Sequence, residues 1–596
     1  MRHFLHYRFA FMGLVSVLLL LTSCASSTKT TVSKPKVTIS NIGGSYAPIC
    51  ATGTPCTTLG TAPTVHAGSS KPAPTGAITI GDWQTPDTIN PFYADEHVDY
   101  AIMSAIYGSC VVAGADLKWL PDQCVEVPTL ANKDVSADGL TVTMKLLSNL
   151  QWSDGQPLTS ADYQWTWQTL VDAKTSAFNI GGYAVIDHIN TPDAHTVVVH
   201  FKAALGPYLS YLPFALPQHE FGKADHTQLA TSAEFNFKPT ATSGAYAVSD
   251  FALGDHWTLA PNPHYTSMTF YGPFLKSITF QSYPDTASEV KAFSDGKLAV
   301  AQNFAPANLD ALKGIAPASL KTVGSVGYEH VEYNQSNPIL AKPAVRQALT
   351  LAVDRCAIVQ KVLGQPCATT VATSIVTPAA LDFDKTLTAP AADAAKANAL
   401  LDKAGFTQKG SDGIRLDSAG KPITLTLVTV ANDSARASEA TLLAADWKAI
   451  GIGVTITPTA ANLLFADFNH GGILANGQWG IAIFAYVGTA DPDFTYPIYH
   501  SSGISTKDNP TGTNYAHINE PQIDAALQQE RAVIDFDTRV AALKQVQQIV
   551  VAQSFDVTPL YVWPVISATS TKLQNALFSP ALYATDWNIA DWSLAA

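Results

Sequence analysis

The stretch QWSDGQPLTSAD, residues 151–162, contains a turn that is followed directly by the start of a helix. Asp154 and Gly155 form a dipeptide that is typical of tight turns. Thr159, with Asp162 three residues later, matches a capping box and predicts a helix through ADYQWTWQTL. We expect Trp152 to pack beneath the turn. The stretch is therefore interpreted as a structural unit and not as a ligand contact.

Strand-like and helix-like segments alternate on both sides of this unit. TVTMKLL (141–147) and HTVVVHF (195–201) are rich in β-branched residues and predict strands. PITLTLVTV (422–430) alternates apolar residues with threonine, as a half-buried strand does. A helix ending in LLAADWKAIG precedes the strand-like GVTIT and completes a strand–helix–strand unit. The pattern predicts an α/β fold, and 596 residues exceed one hydrophobic core, so we expect at least two lobes.

The chain has few charged residues, and its net charge is negative. Charged residues make up 14% of the sequence, and the net charge is -13. No long run of Lys and Arg is present. Because nucleic-acid binding relies on clustered positive charge, nucleic acid is not an expected partner.

The first residues, 1–23, are typical of a secretion signal. Arg2 and Arg8 accompany the apolar run FAFMGLVSVLLLL (9–21), which is too short for a comfortable membrane span. The following LTSC resembles a bacterial lipobox, which implies cleavage before Cys24 and attachment of diacylglyceryl to that cysteine. Several acyl chains on one residue anchor a protein stably. The alternative is a plain signal peptide cleaved nearby.

Residues 24–75 are rich in Ser, Thr, Pro, Ala and Gly and predict a disordered tether. Six cysteines other than Cys24 remain, an even number that suggests disulfides in an exported chain. Six cysteines allow 15 connectivities, of which sequence-local pairing is the simplest. The local pairs are Cys50 with Cys56, Cys110 with Cys124, and Cys356 with Cys367.

Sequence signatures of enzymes are missing. The chain has no GxSxG, HExxH or GxxxxGK[ST] motif. It also has no CxxC motif, and its 15 histidines show no metal-ligand spacing. We therefore predict no catalytic residues, no metal site and no cofactor.

A series of phrases follows in a recognisable order from about residue 77 to the C-terminus. The phrases are INPFYADEH (89–97), AIYGSC (105–110), DGLTVTMKLLSNLQWSDGQPLTSADYQWTWQTL (138–170), TSGAYAV (242–248), NPHY (262–265), EVKAFSDGKL (289–298), EYNQSNP (332–338), VRQALTLAVDR (345–355), NALLDKAGF (398–406) and DPDFTY (491–496). Together they resemble the extracytoplasmic solute-binding proteins of peptide/nickel-type ABC transporters, the oligopeptide- and dipeptide-binding protein family (solute-binding family 5). The lipobox and the tether agree with this resemblance.

The resemblance implies a two-lobed α/β fold of the periplasmic-binding-protein type, with an extra inserted subdomain and a ligand cleft between lobes that close by hinge motion. The implied boundaries are a signal peptide at 1–23, a lipid-attached tether at 24–75, a discontinuous lobe I at 76–110, 238–329 and 556–596, an inserted subdomain at 111–237, and lobe II at 330–555.

Aromatic and polar side chains in the resembling segments are candidates for the ligand cleft. Aromatic walls suit a binder of varied solutes because they tolerate different ligand side chains. The alternative for each aromatic residue is packing in the core. The candidate residues are Phe92, Tyr107, Tyr333, Asn334, Trp479, Tyr486, Thr489, Asp491 and Phe494.

The loop YVGTADPDFTY (486–496) carries a pair of carboxylates beside aromatic residues. A catalytic acid/base pair is not indicated, because no nucleophile or oxyanion donor stands nearby. In peptide-binding members of the family, an aspartate three residues before the DP aspartate pairs with the ligand's α-ammonium. That position is Gly488 here. Asp491 either replaces the missing anchor or shapes its own loop, and the sequence leaves both alternatives open.

The expected function is that of a lipid-anchored, monomeric substrate-binding component of an ABC importer. It would capture a peptide or peptide-sized solute at the outer face of the bacterial cell membrane and deliver it to a permease driven by an ATPase. The alternatives are a binder of a non-peptide solute (an oligosaccharide, a signal molecule or a metal chelate), an extracellular sensor, or an extracellular hydrolase.

Overall fold

The fold is built on a sheet of ten strands that continues from one half of the molecule into the other. The computed structural model describes residues 73–94, 96–177, 182–316, 319–581 and 586–595, with the backbone alone at 322 and 323. Residues 1–72, with Cys24, Cys50, Cys56 and the predicted signal peptide, lie outside the described residues.

The shortest strands have two residues, and the longest have more than ten. They are β1 Ala77–Asp82, β2 Val111–Ala113, β3 Trp119–Pro121, β4 Thr141–Lys145, β5 Ile186–Asp193, β6 Thr196–Phe201, β7 Tyr246–Ala252, β8 His256–Pro261, β9 Ser277–Ser282, β10 Val300–Phe304, β11 Leu320–Tyr333, β12 Thr424–Val430, β13 Gly453–Thr459, β14 Ile481–Tyr486, β15 Val557–Thr569, β16 Leu573–Gln574 and β17 Ser593–Leu594.

The α-helices lie between these strands. They are α1 His97–Ile106, α2 Ser160–Val171, α3 Gln218–Phe221, α4 Ala233–Phe237, α5 Thr286–Ser294, α6 Pro343–Ala352, α7 Arg355–Leu363, α8 Cys367–Thr370, α9 Ala394–Lys403, α10 Ser434–Ala449, α11 Ala461–Leu464, α12 Thr495–Tyr499, α13 Pro521–Ala532 and α14 Phe536–Gln548.

Local sequence determines where several of these helices begin. Thr159 caps α2, and Asp162 Oδ2 accepts a hydrogen bond from the Thr159 backbone N–H at 2.8 Å, which confirms the predicted capping box. Trp152 is completely buried beneath the preceding turn. Pro343 occupies the first turn of α6, where its missing N–H removes no helical hydrogen bond.

The strand order of the main sheet is β13-β12-β14-β11-β15-β10-β1-β9-β8-β7. In one half, β1 pairs in parallel with both β9 and β10. In the other half, β12 pairs in parallel with both β13 and β14. The long antiparallel strands β11 and β15 belong to both halves and connect them.

The pairing of β11 with β15 is interrupted between the two halves. Gly324 pairs with Pro564 and Tyr328 pairs with Val562, and the register shifts between these two pairs. We name residues 324–328 and 562–564 the crossover. Such an irregularity bends and twists a strand pair locally. The crossover is therefore the point at which the two halves of the sheet change direction.

The segment between β1 and β7 carries a small sheet of its own, with strand order β4-β6-β5. Helix α2 packs on this sheet around a separate apolar core that includes Trp152 and Tyr163. A disulfide joins Cys110 to Cys124 at the entry to this segment, and a second joins Cys356 to Cys367. Within the described ranges, no helix combines the length and the apolar character needed to cross a membrane.

Candidate functional site

The carboxyl ends of the parallel strands in both halves of the sheet point toward the crossover. On one side, β10 ends at Phe304, which pairs with Ile566 close to the crossover. On the other side, β14 ends at Tyr486, which pairs with Tyr328 of the crossover. Ligands of open α/β sheets bind outside the carboxyl ends of the strands. The two carboxyl edges therefore define one candidate site, with the crossover between them.

The first edge, formed by the ends of β1 and β10, presents a network of polar side chains beside an aromatic one. Trp83 keeps 36% of its surface exposed and donates from Nε1 to the Asn303 carbonyl at 2.8 Å. Asn303 donates from Nδ2 to Gln84 Oε1 at 2.6 Å and to Asp82 Oδ1 at 3.2 Å. The φ angle of Asn303 is 65°, in a region that non-glycine residues seldom occupy. Backbone strain of this kind often accompanies a functional position.

Asp82 lies beneath this network and is almost completely buried. Burial raises the pKa of Asp82 to about 7, against the lowering effects of the Gln84 backbone N–H and the Asn303 side chain. The buried carboxyls of Glu289 and Asp586 are close enough to Asp82 for its charge to raise their pKa values as well. The first edge thus rests on a cluster of carboxyl groups that resist ionisation.

At the second edge, the loop after β14 lies directly against the crossover. A Cβ atom at Gly488 would stand 2.8 Å from the Val326 carbonyl oxygen and 3.0 Å from the Phe494 ring. Contacts shorter than 3.0 Å require a neighbour to move. The backbone approach at Gly488 therefore excludes a side chain, which explains the absence of an aspartate at this position in physical terms.

Asp491 is buried and held by an arginine of α14. Arg539 donates from Nη2 to Asp491 Oδ1 at 2.7 Å and from Nη1 to Oδ2 at 3.0 Å. Glu530 accepts from the Nε of the same guanidinium at 2.9 Å. Asp491 also accepts a hydrogen bond from the Asp493 backbone N–H at 3.0 Å. Of the two alternatives for Asp491, the structure favours a loop-shaping role, because both carboxylate oxygens already have partners.

Asp493, the second carboxylate of the loop, is held in the same way. Arg531 donates to it at 2.6 and 2.8 Å, and the Arg531 guanidinium stacks on the Tyr496 ring at 3.7 Å from its centroid. Tyr211 donates its hydroxyl to Asp493 Oδ2 at 2.7 Å from the segment that carries β4, β5 and β6. The Gly206 carbonyl of that segment accepts from Arg539 Nη1 at 3.1 Å. Both carboxylates thus take part in a contact between this loop and the segment.

Trp563 belongs to the crossover, and an ion pair that includes Glu329, the residue directly after Tyr328, lies beside it. Arg436, at the start of α10, donates to both carboxylate oxygens of Glu329 at 2.9 and 3.1 Å. Its guanidinium lies 5.2 Å from the Trp563 ring centroid. Trp563 is half-buried, in the part of β15 where pairing is interrupted. The Trp563 ring is therefore held beside a guanidinium that Glu329 fixes in place.

Leu117, at the tip of the hairpin formed by β2 and β3, packs against the crossover. Its φ angle is 61°, and only 1% of its surface is exposed. It contacts a small apolar cluster that includes Val326, Ala490 and Ala581. A leucine in this conformation is strained, and it persists only where its surroundings hold it in place. The hairpin tip is therefore held against the crossover.

Several predicted ligand residues lie in the core. Phe92 packs edge-on against Phe214 and Phe235. The Tyr333 hydroxyl pairs with Thr558, and Trp479 donates to the Leu474 carbonyl. Asn334 donates from its side-chain amide to the carbonyls of Gly477 and Trp479. All four residues are buried. The core-packing alternative describes them in this conformation.

The other predicted residues lie closer to solvent or to a cavity. Tyr486 is largely buried, stacks on His330 at 4.7 Å and donates to Glu332 Oε1 at 3.3 Å. Thr489 is exposed and donates to the Asp491 carbonyl at 2.7 Å. Phe494 is half-buried beside Gly488. Tyr107 lines a separate cavity at the end of α1. A ligand role for Thr489, Phe494 and Tyr107 stays a prediction.

The sequence reading missed several residues that the fold brings to the site. Trp83 and Asn303 are 220 positions apart in the chain, and Arg436 reaches Glu329 across 107 positions. The available signal for Trp83 was its place at the end of the β-like run GAITIGDW (76–83), at a carboxyl end. No comparable local signal marked Asn303, Arg436 or Trp563. Among the described residues, no group of three or more His, Cys, Asp or Glu side chains is placed to hold a metal ion.

The two halves of the sheet present their carboxyl edges to each other across the connecting strands β11 and β15. This arrangement defines the class of two-lobed periplasmic-binding-protein folds. The chain belongs to the family of bacterial extracellular solute-binding proteins, family 5, whose middle-region model matches residues 126–506. Protein XP55 of Streptomyces lividans is 28% identical over 493 residues, which cover 80% of this chain and 82% of that protein.

Two solved structures show the same fold. The oligopeptide-binding protein AppA from Bacillus subtilis, solved with a nonapeptide, is similar with a TM-score of 0.69 and 22% identity over 88% of this chain and 100% of that chain. The ABC transporter substrate-binding protein CtaP from Listeria monocytogenes is similar with a TM-score of 0.72 and 22% identity over 87% and 99% of the two chains. The predicted two-lobed α/β fold and the predicted family of ABC transporter solute-binding proteins are confirmed.

Proposed function

We propose that this protein is the lipid-anchored substrate-binding component of an ABC importer, which captures a peptide or peptide-sized solute at the outer face of the cell membrane. The permease and the ATPase of that importer are the proposed partners, and the proposed anchor is a lipid on Cys24. The observation that carries the proposal is the convergence of both carboxyl edges on the crossover. This arrangement suits binding and closure, since it offers contacts from both halves of the sheet to one solute.

The proposed lobes follow the boundaries that the family resemblance implies, with lobe I at 76–110, 238–329 and 556–596, lobe II at 330–555, and the inserted subdomain at 111–237. The crossover is the proposed hinge, because β11 and β15 are the strands that belong to both halves of the main sheet. A hinge needs only a few residues that absorb the change in backbone angles. Gly324 and Gly327 supply such residues within the crossover.

The proposed solute contacts come from both edges. Trp83 offers an exposed aromatic face, and Gln84 and Asn303 offer polar groups beside it. Trp563 lies at the crossover, and Thr489 offers an exposed position on the second edge. Aromatic surfaces combined with a few polar groups accept solutes of varied side-chain composition. These contacts are consistent with a peptide-like solute that is recognised by its backbone and its apolar side chains.

The loop after β14 bears on how the solute is held. Gly488 has no room for a carboxylate, and Asp491 and Asp493 are each paired with an arginine. An α-ammonium group therefore finds no unpaired carboxylate in this loop. We infer that a free amino terminus contributes little to affinity, in contrast with peptide-binding relatives that carry an aspartate at the position of Gly488.

Thermal unfolding of the purified full chain with matched solute pools tests this proposal. A ligand that binds only the folded state raises the melting temperature, and saturation at about 100 times Kd stabilises by about 2.7 kcal/mol. We expect a mixed peptide pool and the same pool with acetylated amino termini to give similar shifts. An oligosaccharide pool that acts alone would support the non-peptide alternative. Turnover of the peptides would support a hydrolase.

A further inference from the structure

The segment that carries β4, β5 and β6 contacts helices α13 and α14 through residues 204–211, which we name the latch. The Gly206 backbone N–H donates to the Arg531 carbonyl at 2.6 Å, and the Gly206 carbonyl accepts from Arg539 Nη1 at 3.1 Å. A Cβ atom at Gly206 would stand 2.6 Å from the Glu530 carbonyl oxygen. The latch therefore meets the two helices with its backbone and leaves no room there for a side chain.

Side chains add to the backbone contacts of the latch. Tyr211 donates its hydroxyl to Asp493 Oδ2 at 2.7 Å. Burial and the charge of Asp493 raise the pKa of Tyr211 above its ordinary value, so the hydroxyl keeps the proton that it donates. Ile534, between α13 and α14, packs against the apolar core of the segment. The contact thus combines hydrogen bonds to charged groups, which are the stronger kind, with apolar packing.

The two sides of this contact are anchored in different halves of the molecule. Phe92, which follows β1, shares an apolar core with Trp165 of the segment, so the segment is held to the half that contains β1. Helices α13 and α14 share a core with β14 through Leu527, Leu543 and Phe484. The hydrogen bonds of the latch therefore run from one half to the other, and a rotation of the halves about the crossover disturbs them.

The latch is also connected to the second edge of the candidate site. Asp493, which accepts from the latch, belongs to the same loop as Thr489, a proposed solute contact. Arg539 donates to Asp491 of this loop and to the Gly206 carbonyl of the latch. Because one guanidinium bonds both, movement of the loop and release of the latch are linked.

We propose that residues 204–211 are a closure latch, which holds the two halves together through α13 and α14 and so sets the fraction of protein in the closed form. The inference rests on the proposed function, in which the crossover is the hinge. The apparent affinity for a solute falls in proportion to the fraction of protein that is competent to bind. The latch therefore changes the affinity through residues that are not among the proposed solute contacts.

Hydrogen exchange of the Gly206 amide in the full chain, without added solute, tests the latch directly, because this N–H is bonded across the two halves. A latch that opens without unfolding lets Gly206 exchange faster than the amides of β6, which belong to the segment's own sheet. Tyr211→Phe should raise the Gly206 rate about tenfold and leave the β6 rates unchanged. Tyr283→Phe, at a half-buried tyrosine after β9, is the matched control. Equal rates for Gly206 and β6, or a Gly206 rate that Tyr211→Phe leaves unchanged, would overturn the proposal.

Gly206→Ala tests the effect of the latch on closure, because the added Cβ keeps residues 204–211 from seating against α13 and α14. We expect a larger radius of gyration in small-angle X-ray scattering, and an affinity about tenfold weaker for a peptide selected by the thermal screen. A wild-type radius or a wild-type affinity would contradict the proposal. If no pool binds, the proposed function fails, while exchange and scattering still decide the latch. Tyr211→Phe takes the place of Gly206→Ala in both measurements if the latter does not fold.

Discussion

Arg539 holds Asp491 through two hydrogen bonds of 2.7 and 3.0 Å, and both side chains are almost completely buried. Glu530 shares the same guanidinium. The sequence shows the loop 486–496 only as a pair of carboxylates beside aromatic residues. In the structure, the ion pair with Arg539 makes Asp491 a support of that loop. In this structure both carboxylates of the loop, Asp491 and Asp493, are paired with arginines.

Replacement of Asp491 by Asn should destabilise the protein without abolishing solute binding. Removing one partner of a buried ion pair costs about 3–5 kcal/mol, because the other charge is left uncompensated. Glu530 remains beside Arg539, so we expect a loss near the lower end, about 3 kcal/mol, by urea unfolding. Asp508→Asn, at an exposed position, is the matched control and should change stability little. Unchanged stability with loss of binding to amine-bearing solutes would instead identify Asp491 as a ligand anchor.

Replacement of Gly488 by Ala should also reduce stability. The added Cβ would meet the Val326 carbonyl at 2.8 Å, and the neighbouring backbone has little freedom to move. Overpacking of this kind costs about 1–3 kcal/mol. Gly324→Ala is the control in the same strand region, since its Cβ would meet only the Val562 side chain at 3.5 Å. Equal stability of the two variants in chemical denaturation would show that the close approach at Gly488 is not restrictive.

The buried carboxyl of Glu289 should make stability depend on pH. Burial and the charge of Asp82 raise the pKa of Glu289 from 4.5 to about 9, so the folded protein keeps it protonated where the unfolded chain ionises. Its contribution is fully present below about pH 4.5 and is lost as pH rises toward 9. Asp82 and Asp586, each with a pKa raised to about 7, act in the same direction below that pH.

Glu289→Gln should therefore flatten the fall in unfolding free energy between about pH 5 and pH 9. The expected change in slope is up to about 1.4 kcal/mol per pH unit, the value for one proton. Denaturant unfolding at several pH values measures it, with the exposed Glu234→Gln as the control. A slope that is the same in Glu289→Gln and in the wild-type protein would contradict the assigned protonation state.

Membrane attachment through Cys24 predicts the location of the protein in cells. Cys24→Ala should move it from the membrane fraction to the soluble extracytoplasmic fraction, because the acylated residue is removed. Mass spectrometry of the mature amino terminus in the wild-type protein should show a diacylglyceryl group on Cys24. An unmodified amino terminus after a different residue would support the plain signal peptide.

Local patterns in the sequence predict the helices and strands of the fold well. They predict the burial of individual side chains less well. The capping box at Thr159 and Asp162 depends on neighbours in the sequence, and the structure forms it. A tryptophan beside a strand looks the same in the sequence whether it is buried, as Trp479 is, or exposed, as Trp83 is. The partner of Asp491 lies 48 residues away, so no local pattern identifies it. The site depends on such long-range contacts, and the tertiary fold is needed to reveal them.

The most direct test of the central claim, that solute binds between the carboxyl edges at the crossover, is calorimetric titration of Trp83→Ala. The titrant is a peptide selected by the thermal screen, and Leu253→Ala, an exposed residue in the turn between β7 and β8, is the control. We predict that Trp83→Ala weakens affinity by about tenfold, or about 1.4 kcal/mol, while Leu253→Ala binds like the wild-type protein. Wild-type affinity in Trp83→Ala would contradict the placement of the site.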